Sequence, residues 1–351
     1  MGSIPLNSIF SKRIGFLVVF ILLLQGTSGL LSGQSDQSKG QDEGAMPFNW
    51  KLKTMGGRQF WTDVVYLSKW RIQRNAVTGH HRLLDPQNVR QAWGTLDQCK
   101  LHLDGLVAIG DIPPNTGKVV IILHGLMRSS QAMEPMAEYL EKNSDYGAIN
   151  VEYASSRGVV ARHANDLARL IRHLGPEVTE INFVAHSMGN IVIRHYLSDL
   201  MLQKEGVDPR FHRMVMLGPP NQGSQFAHFL RNNPVFNALA GVAGKQLGEK
   251  WEELEPHLAT PSFEFGIIAG AQHESQKLNN IVLTGPDDFT VSLEETRLIG
   301  AKDWLVRPLL HTTMMKNEIT LASTLRFIEE GYFISVEEMN PIEEPNASET
   351  E

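Results

Sequence analysis

Ten residues near the middle of the chain, Ile181-Asn182-Phe183-Val184-Ala185-His186-Ser187-Met188-Gly189-Asn190, constrain the fold more than any others. The apolar run at their start reads as a short buried strand. Ile191, Val192, Ile193 and Leu197 then carry a helix. A lone serine stands at the tip of the turn between them, in a strained backbone conformation. Ala185 and Gly189, two residues before and two after it, keep strand and helix from colliding. The helix N-terminus aims backbone N–H groups at the place where a negative oxygen would develop beside that serine. On these residues alone, a buried strand followed by a serine N-cap is the alternative reading.

The flanking chain repeats the alternation of strand and helix. Val119-Val120-Ile121-Ile122-Leu123 is apolar and mostly β-branched, as in a parallel strand buried on both faces. Ala148 to Val151 follows, then a helix with Val160, Ala164, Leu167, Ile171 and Leu174 on one face. Gly175-Pro176 ends that helix before the serine-bearing strand. Met214 to Leu217, Phe265 to Gly270 and Trp304 to Val306 read as further strands. A closing helix holds Ile319, Leu321, Leu325 and Ile328. This order implies a mostly parallel sheet flanked by helices. Earlier runs, Phe60 to Tyr66, Trp70 to Gln73 and His81 to Leu84, read as antiparallel strands at a sheet edge. His80, His81 and Asp85 lie close together there without further ligands at a metal-site spacing, so a surface hairpin is expected. No metal or cofactor is implied.

Between the strands at 214–217 and 265–270, Phe226, Phe229, Leu230, Val235, Phe236, Leu239 and Val242 form a helical but broken apolar pattern. Pro234, Gly241 and Gly244 interrupt it. An insertion over 220–262 reads either as a lid over an acyl-binding site or as short helices packed on the sheet.

The ends lie outside the expected domain, 46–335. Lys12 and Arg13 precede an apolar run, Ile14 to Leu24, and then Gly26-Thr27-Ser28-Gly29. That order makes 1–29 a secretory signal. The run is short for a membrane span of ~20 residues, and an uncleaved signal-anchor is the alternative. Residues 30–45 read as a flexible linker. Residues 336–351, with six glutamates and two prolines, read as a solvated acidic tail. Cys99 is the single cysteine, so an exported chain would rest on its core without an intramolecular disulfide. A net charge of −7 supplies no basic field, which argues against nucleic acid as a partner.

From Lys118 to Phe333 the chain resembles the α/β-hydrolase superfamily, in particular its bacterial lipase- and esterase-like branch. The resemblance rests on His124-Gly125, the Ala-His-Ser-Met-Gly elbow, the Gly218-Pro219-Pro220-Asn221-Gln222-Gly223-Ser224 turn, the Asp288-Phe289-Thr290-Val291 segment and His311. Two departures stand out: Ala185 opens the elbow, and Phe289 stands where relatives often have Gly. The resemblance implies an α/β-hydrolase fold with a helical lid. It also implies Ser187 as nucleophile, His311 as base, and backbone N–H groups of Leu126 and Met188 as the oxyanion hole. For the acid, Asp287 and Asp288 are adjacent and both precede His311; the family pattern favours Asp288. Of the thirteen histidines, only His311 follows both acid candidates; His124, His186, His195 and His273 precede them. The side chain of His124 is expected to support its loop, and the sharp turn to aim His186 away.

The implied function is hydrolysis of carboxylic esters through an acyl-enzyme, with Phe229 and Phe236 as substrate-contacting residues. A small-molecule or lipid ester, met at an exported location with transient lipid-surface contact, is the expected partner. Acyl transfer on the same residues, or a non-catalytic binding role on the same fold, are the alternatives.

Overall fold

The computed structural model describes residues 51–203, 206–271, 288 and 290–344. The signal, the linker, Asp287 and Phe289 lie outside the described residues. Six strands form the central sheet: β5 (Gly117–Leu123), β6 (Gly147–Val151), β7 (Val178–His186), β8 (Phe211–Leu217), β9 (Glu264–Gly270) and β10 (Asp303–Arg307). Their order is β10-β9-β8-β7-β5-β6, and every pairing is parallel.

Period-two alternation splits the apolar strands between two cores. Val119, Ile121 and Leu123 enter one cluster with Phe183 and Met214, while Val120 and Ile122 enter the other with Val184 and Val215. Helices α3 (Val160–Arg172) and α4 (Met188–Gln203) cover the first face. Helices α2 (Glu134–Asn143) and α9 (Glu318–Glu330) cover the second. Asn317 caps the start of α9, accepting from Ile319 N and Thr320 N, and Gly331 ends it at φ +83°.

The chain leaves β5 towards β6 on one side and comes back to β7 on the other. The carboxyl ends of β5 and β7 thus flank a reversal of strand order, where open α/β sheets form their crevice.

The first four strands do not join this sheet. β1 (Trp61–Leu67), β2 (Trp70–Asn75), β3 (His81–Leu84) and β4 (Arg90–Gly94) make an antiparallel sheet of their own, covered by α1 (Leu96–Ala108). This corrects the expected sheet edge. β1 meets the segment just beyond β6: Asp63 N donates to Glu152 O at 2.8 Å, and Ala154 N donates to Thr62 Oγ1 at 3.1 Å. α1 escaped the pattern reading because Leu101 and Ile109 point outward while Cys99 and Leu103 carry the packing, which blurs its periodicity. His80 lies between Trp61 and Trp93, and Asp85 accepts from Gln87 N and Val89 N in a turn.

The start of the expected acidic tail is also corrected. Residues 340–342 run along β10: Trp304 N donates to Asn340 O at 2.9 Å and Ile342 N to Ala301 O at 2.9 Å. Ile342 is only 3% exposed. An apolar residue among the glutamates covers what would be an open sheet edge. No helix among the described residues is long and apolar enough to cross a membrane.

Arg74 on β2 and Asp166 on α3 form a buried ion pair between the small sheet and the main body. Asp166→Ala leaves a buried guanidinium without its partner and should cost about 3–5 kcal/mol. Replacing both with apolar residues should restore most of that. Urea unfolding of the three proteins checks this; equal loss in the single and double variants would contradict it.

Candidate active site

Ser187 directly follows β7 and holds φ +52°, a left-handed conformation costly for any residue with a Cβ. Its N–H donates to Leu217 O on β8 at 2.9 Å, and its carbonyl accepts from Asn190 N and Nδ2, each at 3.0 Å. The turn is thus pinned on both sides. The helix then passes so close to β5 that a Cβ on Gly189 would lie 2.9 Å from the carbonyl oxygens of both Leu123 and His124. A Cβ on Gly125 would lie 3.1 Å from Ser187 Cβ, so the loop after β5 touches the serine. Met188 is the first residue of α4, and helix geometry leaves its N–H without an intrahelical acceptor. Leu126 lies on the touching loop, beside Met127 at φ +59°.

His311 and Asp288 meet at the same end of the sheet. His311 Nδ1 lies 2.7 Å from Asp288 Oδ2, and both side chains are buried. Asp288 Oδ1 accepts from Thr290 N at 3.0 Å and Val291 N at 2.8 Å. The main chains join too, His311 N donating to Asp288 O at 3.1 Å. A carboxylate so held fixes the tautomer with hydrogen on Nδ1 and leaves Nε2 with its lone pair free. Two glycines make room. A Cβ on Gly270, at the end of β9, would sit 2.7 Å from Asp288 Cβ and 2.5 Å from Leu309 O. A Cβ on Gly218, just past β8, would sit 3.0 Å from His311 Nδ1.

His186 differs from the sequence expectation. Its ring is not turned away from the other groups but lies against His311, with ring centroids 4.5 Å apart. Its Nε2 donates to the His311 carbonyl at 2.9 Å. Burial, with the neighbouring His311 and Arg128, holds its imidazole well below the ordinary range, so it stays neutral. The residue before the serine therefore holds the main chain of His311. No local pattern signals this contact, because the partner lies 125 positions away.

His124 supports its loop as expected. It is fully buried, stacks on Tyr153 at 4.2 Å and pairs its Nδ1 with Gly125 O at 2.9 Å. Tyr153 Oη donates to His124 O. Tyr153 and its neighbour Glu152 are site-supporting residues that the sequence pattern does not reveal.

The broken segment resolves into α5 (Gln225–Phe229), α6 (Pro234–Leu247) and α7 (Trp251–Leu254), with α6 kinked at Gly241. Its inner side, with Phe236, Ala240, Ala243 and Leu247, packs into the main core. Phe236 and Leu126 both flank Gly244. Phe229 is 39% exposed on the outer side. The structure thus brings Phe236 near the loop of Leu126 and leaves Phe229 at the surface. Among the described residues no group of histidine, cysteine, aspartate and glutamate side chains could hold a metal ion.

A parallel six-stranded sheet, helices on both faces, and serine, aspartate and histidine in that chain order at one sheet end decide the architecture. The fold is that of an α/β-hydrolase. Residues 113–217, which hold β5 to β8 and the serine turn, match the family described as "Putative serine esterase (DUF676)". Among solved structures, the chain is similar to the mature lipase BlEst2 of Bacillus licheniformis. Identity is 19%, with 62% of this chain and 93% of that chain covered and a TM-score of 0.45. It is also similar to the metagenomic carboxyl esterase MGS0156, at 15% identity over 57% and 66% of the two chains and a TM-score of 0.45. Phospholipase PlaB of Legionella pneumophila is similar at 17% identity over 52% and 46%, with a TM-score of 0.40. No curated protein matches the chain.

Below Tyr153 lies buried His163, whose imidazole is pushed down to about 3, first by burial and then by His124 and Arg162. In the unfolded chain it takes up a proton near ~6.5. Between these values the unfolded state binds more protons, so this contribution is full above pH 6.5 and falls as pH drops towards 3. Its slope is at most about 1.4 kcal/mol per pH unit. Burial of Asp63 raises that carboxyl to about 6, which acts in the opposite sense below pH 6. His163→Leu should therefore lose less stability than the parent chain between pH 7 and 5. Equal losses in paired denaturation curves would contradict this.

Proposed function

We propose that this protein is a serine hydrolase that cleaves carboxylic esters through an acyl-enzyme on Ser187. The observation that carries the reading is the buried His311–Asp288 pair, set at 2.7 Å at the same sheet end as a serine in left-handed conformation. Asp288 accepts from Nδ1 of His311, so Nε2 is the base. Nε2 takes the hydroxyl proton as Ser187 Oγ attacks the carbonyl carbon. The carbonyl oxygen becomes an oxyanion held by the N–H groups of Met188 and Leu126, each worth on the order of 3 kcal/mol. Collapse of the tetrahedral intermediate breaks the ester C–O bond, and His311 passes its proton to the leaving alcohol. A water molecule, deprotonated by the same Nε2, then attacks the acyl carbon and returns Ser187 to its free form.

The esterase family matched by residues 113–217 supports an ester over other acyl groups. The apolar faces of residues 226–258 support an acyl chain as the bound portion, with Phe236 beside the loop of Leu126 and Phe229 exposed at the surface. The leader-like segment 1–29 supports action outside the cytoplasm, on a small-molecule or lipid ester.

Chromogenic acetate, butyrate and decanoate esters test the reaction. Ser187→Ala should abolish turnover. Asp288→Asn should lower it by roughly 10⁴-fold in a folded protein, since the histidine tautomer is lost. A fluorophosphonate should label the parent chain at Ser187. No turnover on any ester together with no labelling would overturn the reading. Phe229→Ala and Phe236→Leu should each reduce decanoate turnover more than acetate turnover; equal losses on both would assign these rings to packing alone.

A further inference from the structure

The small N-terminal sheet lies outside the matched esterase segment, yet its leading edge grips the loop that carries Leu126. Arg58 and Gln59, immediately before β1, both have positive φ, +20° and +59°. Neither is glycine, so the turn is strained and must be held by its surroundings. Opposite it stands the second strained turn, at Met127.

One side chain bridges the two. Gln59 Nε2 donates to Arg128 O at 2.6 Å, the residue after Met127. The other end of the same amide, Oε1, accepts from Ser156 N at 3.2 Å and pairs with the Ser155 hydroxyl at 3.3 Å. The amide thus donates to the loop after β5 and accepts from the loop after β6. Arg58 Nη2 donates to Gln131 Oε1, farther along the same loop.

A buried line of groups fixes the base of this clamp. Arg82 on β3 donates to Gln73 Oε1 from Nε at 3.0 Å and Nη2 at 2.8 Å. Gln73 Nε2 donates to Asp63 Oδ1, and Asp63 Oδ2 accepts from Glu152 N, each at 2.8 Å. Glu152, with its side chain 2% exposed, accepts on Oε2 from Ser130 N at 3.1 Å and Ser130 Oγ at 2.8 Å. Its Oε1 stands 3.6 Å from His124 Nε2. Gly57 rests on this residue: a Cβ there would lie 3.0 Å from Glu152 Cγ. The loop 124–131 is therefore tied to the N-terminal region directly at Arg128 and Gln131, and at Ser130 through Glu152, whose main chain Asp63 holds.

We propose that Gln59 is a positioning residue for the oxyanion loop, and that the N-terminal sheet, through Gln59 and the Asp63–Glu152 pair, is a working part of the active site. The kinetic half rests on the hydrolase reading; the structural half does not. Gln59 touches no reacting atom and acts through the placement of Leu126. Displacing a catalytic group by about 1 Å costs on the order of 10²-fold.

The test compares the full-length protein with Gln59→Ala, with the isosteric Gln59→Glu, which loses the donor to Arg128 O and keeps an acceptor for Ser156 N, and with Ser130→Ala as a second tie. Hydrogen–deuterium exchange should rise about 10-fold or more at residues 126–131 in both Gln59 variants, with β7 and β8 unchanged. Ester turnover should show kcat down roughly 10- to 10²-fold with KM within about 2-fold, the signature of a contact used in the transition state. Ser130→Ala should move the same readouts in the same direction by less. Unchanged exchange at 126–131 would overturn the clamp, whether or not the parent chain hydrolyses esters. Raised exchange with unchanged kcat would overturn the positioning role. Absence of ester turnover in the parent chain, with exchange raised in the variants, would leave the clamp standing and sink the hydrolase reading.

Discussion

The left-handed backbone at Ser187 sets the terms for everything around it. A residue with a Cβ occupies that region only when neighbours over-determine it. Here Leu217 O takes its N–H, Asn190 takes its carbonyl twice, and Gly189 lets α4 slide against the end of β5. This close approach ties the strain to the reversal of strand order between β5 and β7. The tight turn, the touching loop at Gly125 and the helix N-terminus at Met188 are three consequences of one geometric demand.

The histidine side is built by a different means. His311 follows β10 and Asp288 follows β9 in the chain, and neither residue lies in a helix or strand. Their position comes from main-chain pairing with each other, from glycines at 218 and 270 that leave space, and from the His186 ring on the His311 carbonyl. A neutral buried imidazole at 186 suits this role, because it donates one hydrogen bond without adding charge beside His311. The cost of burying polar groups thus recurs across the site, at His124, Asp63 and Glu152, and each of these fixes a piece of loop.

Much of the sheet was legible because a parallel strand must bury both faces. Val119 to Leu123 and Phe265 to Gly270 show that as unbroken apolar runs, and both fall inside observed strands. The elbow was legible because its small residues sit at fixed offsets from Ser187. α1 and β4 were not, since exposed Leu101, Ile109 and Trp93 contradict the inside–outside pattern that sequence reading depends on. Ile342 was masked by the charge of its neighbours, and a lone apolar residue among glutamates reads as solvent-exposed until the edge it covers is known.

What the sequence by itself determined was strand and helix periods, the serine turn, and the order of Ser187, Asp288 and His311 along the chain. The periods and the turn depend on residues a few positions apart, where short-range sterics decide; the order is read directly along the chain. Only the tertiary structure decided that the N-terminal strands form a separate sheet, that His186 serves His311, and that Gln59 and Glu152 hold the loop of Leu126. Such contacts join residues tens to more than a hundred positions apart. They arise from where buried donors and acceptors must find partners once the chain is packed, and no spacing along the chain encodes that.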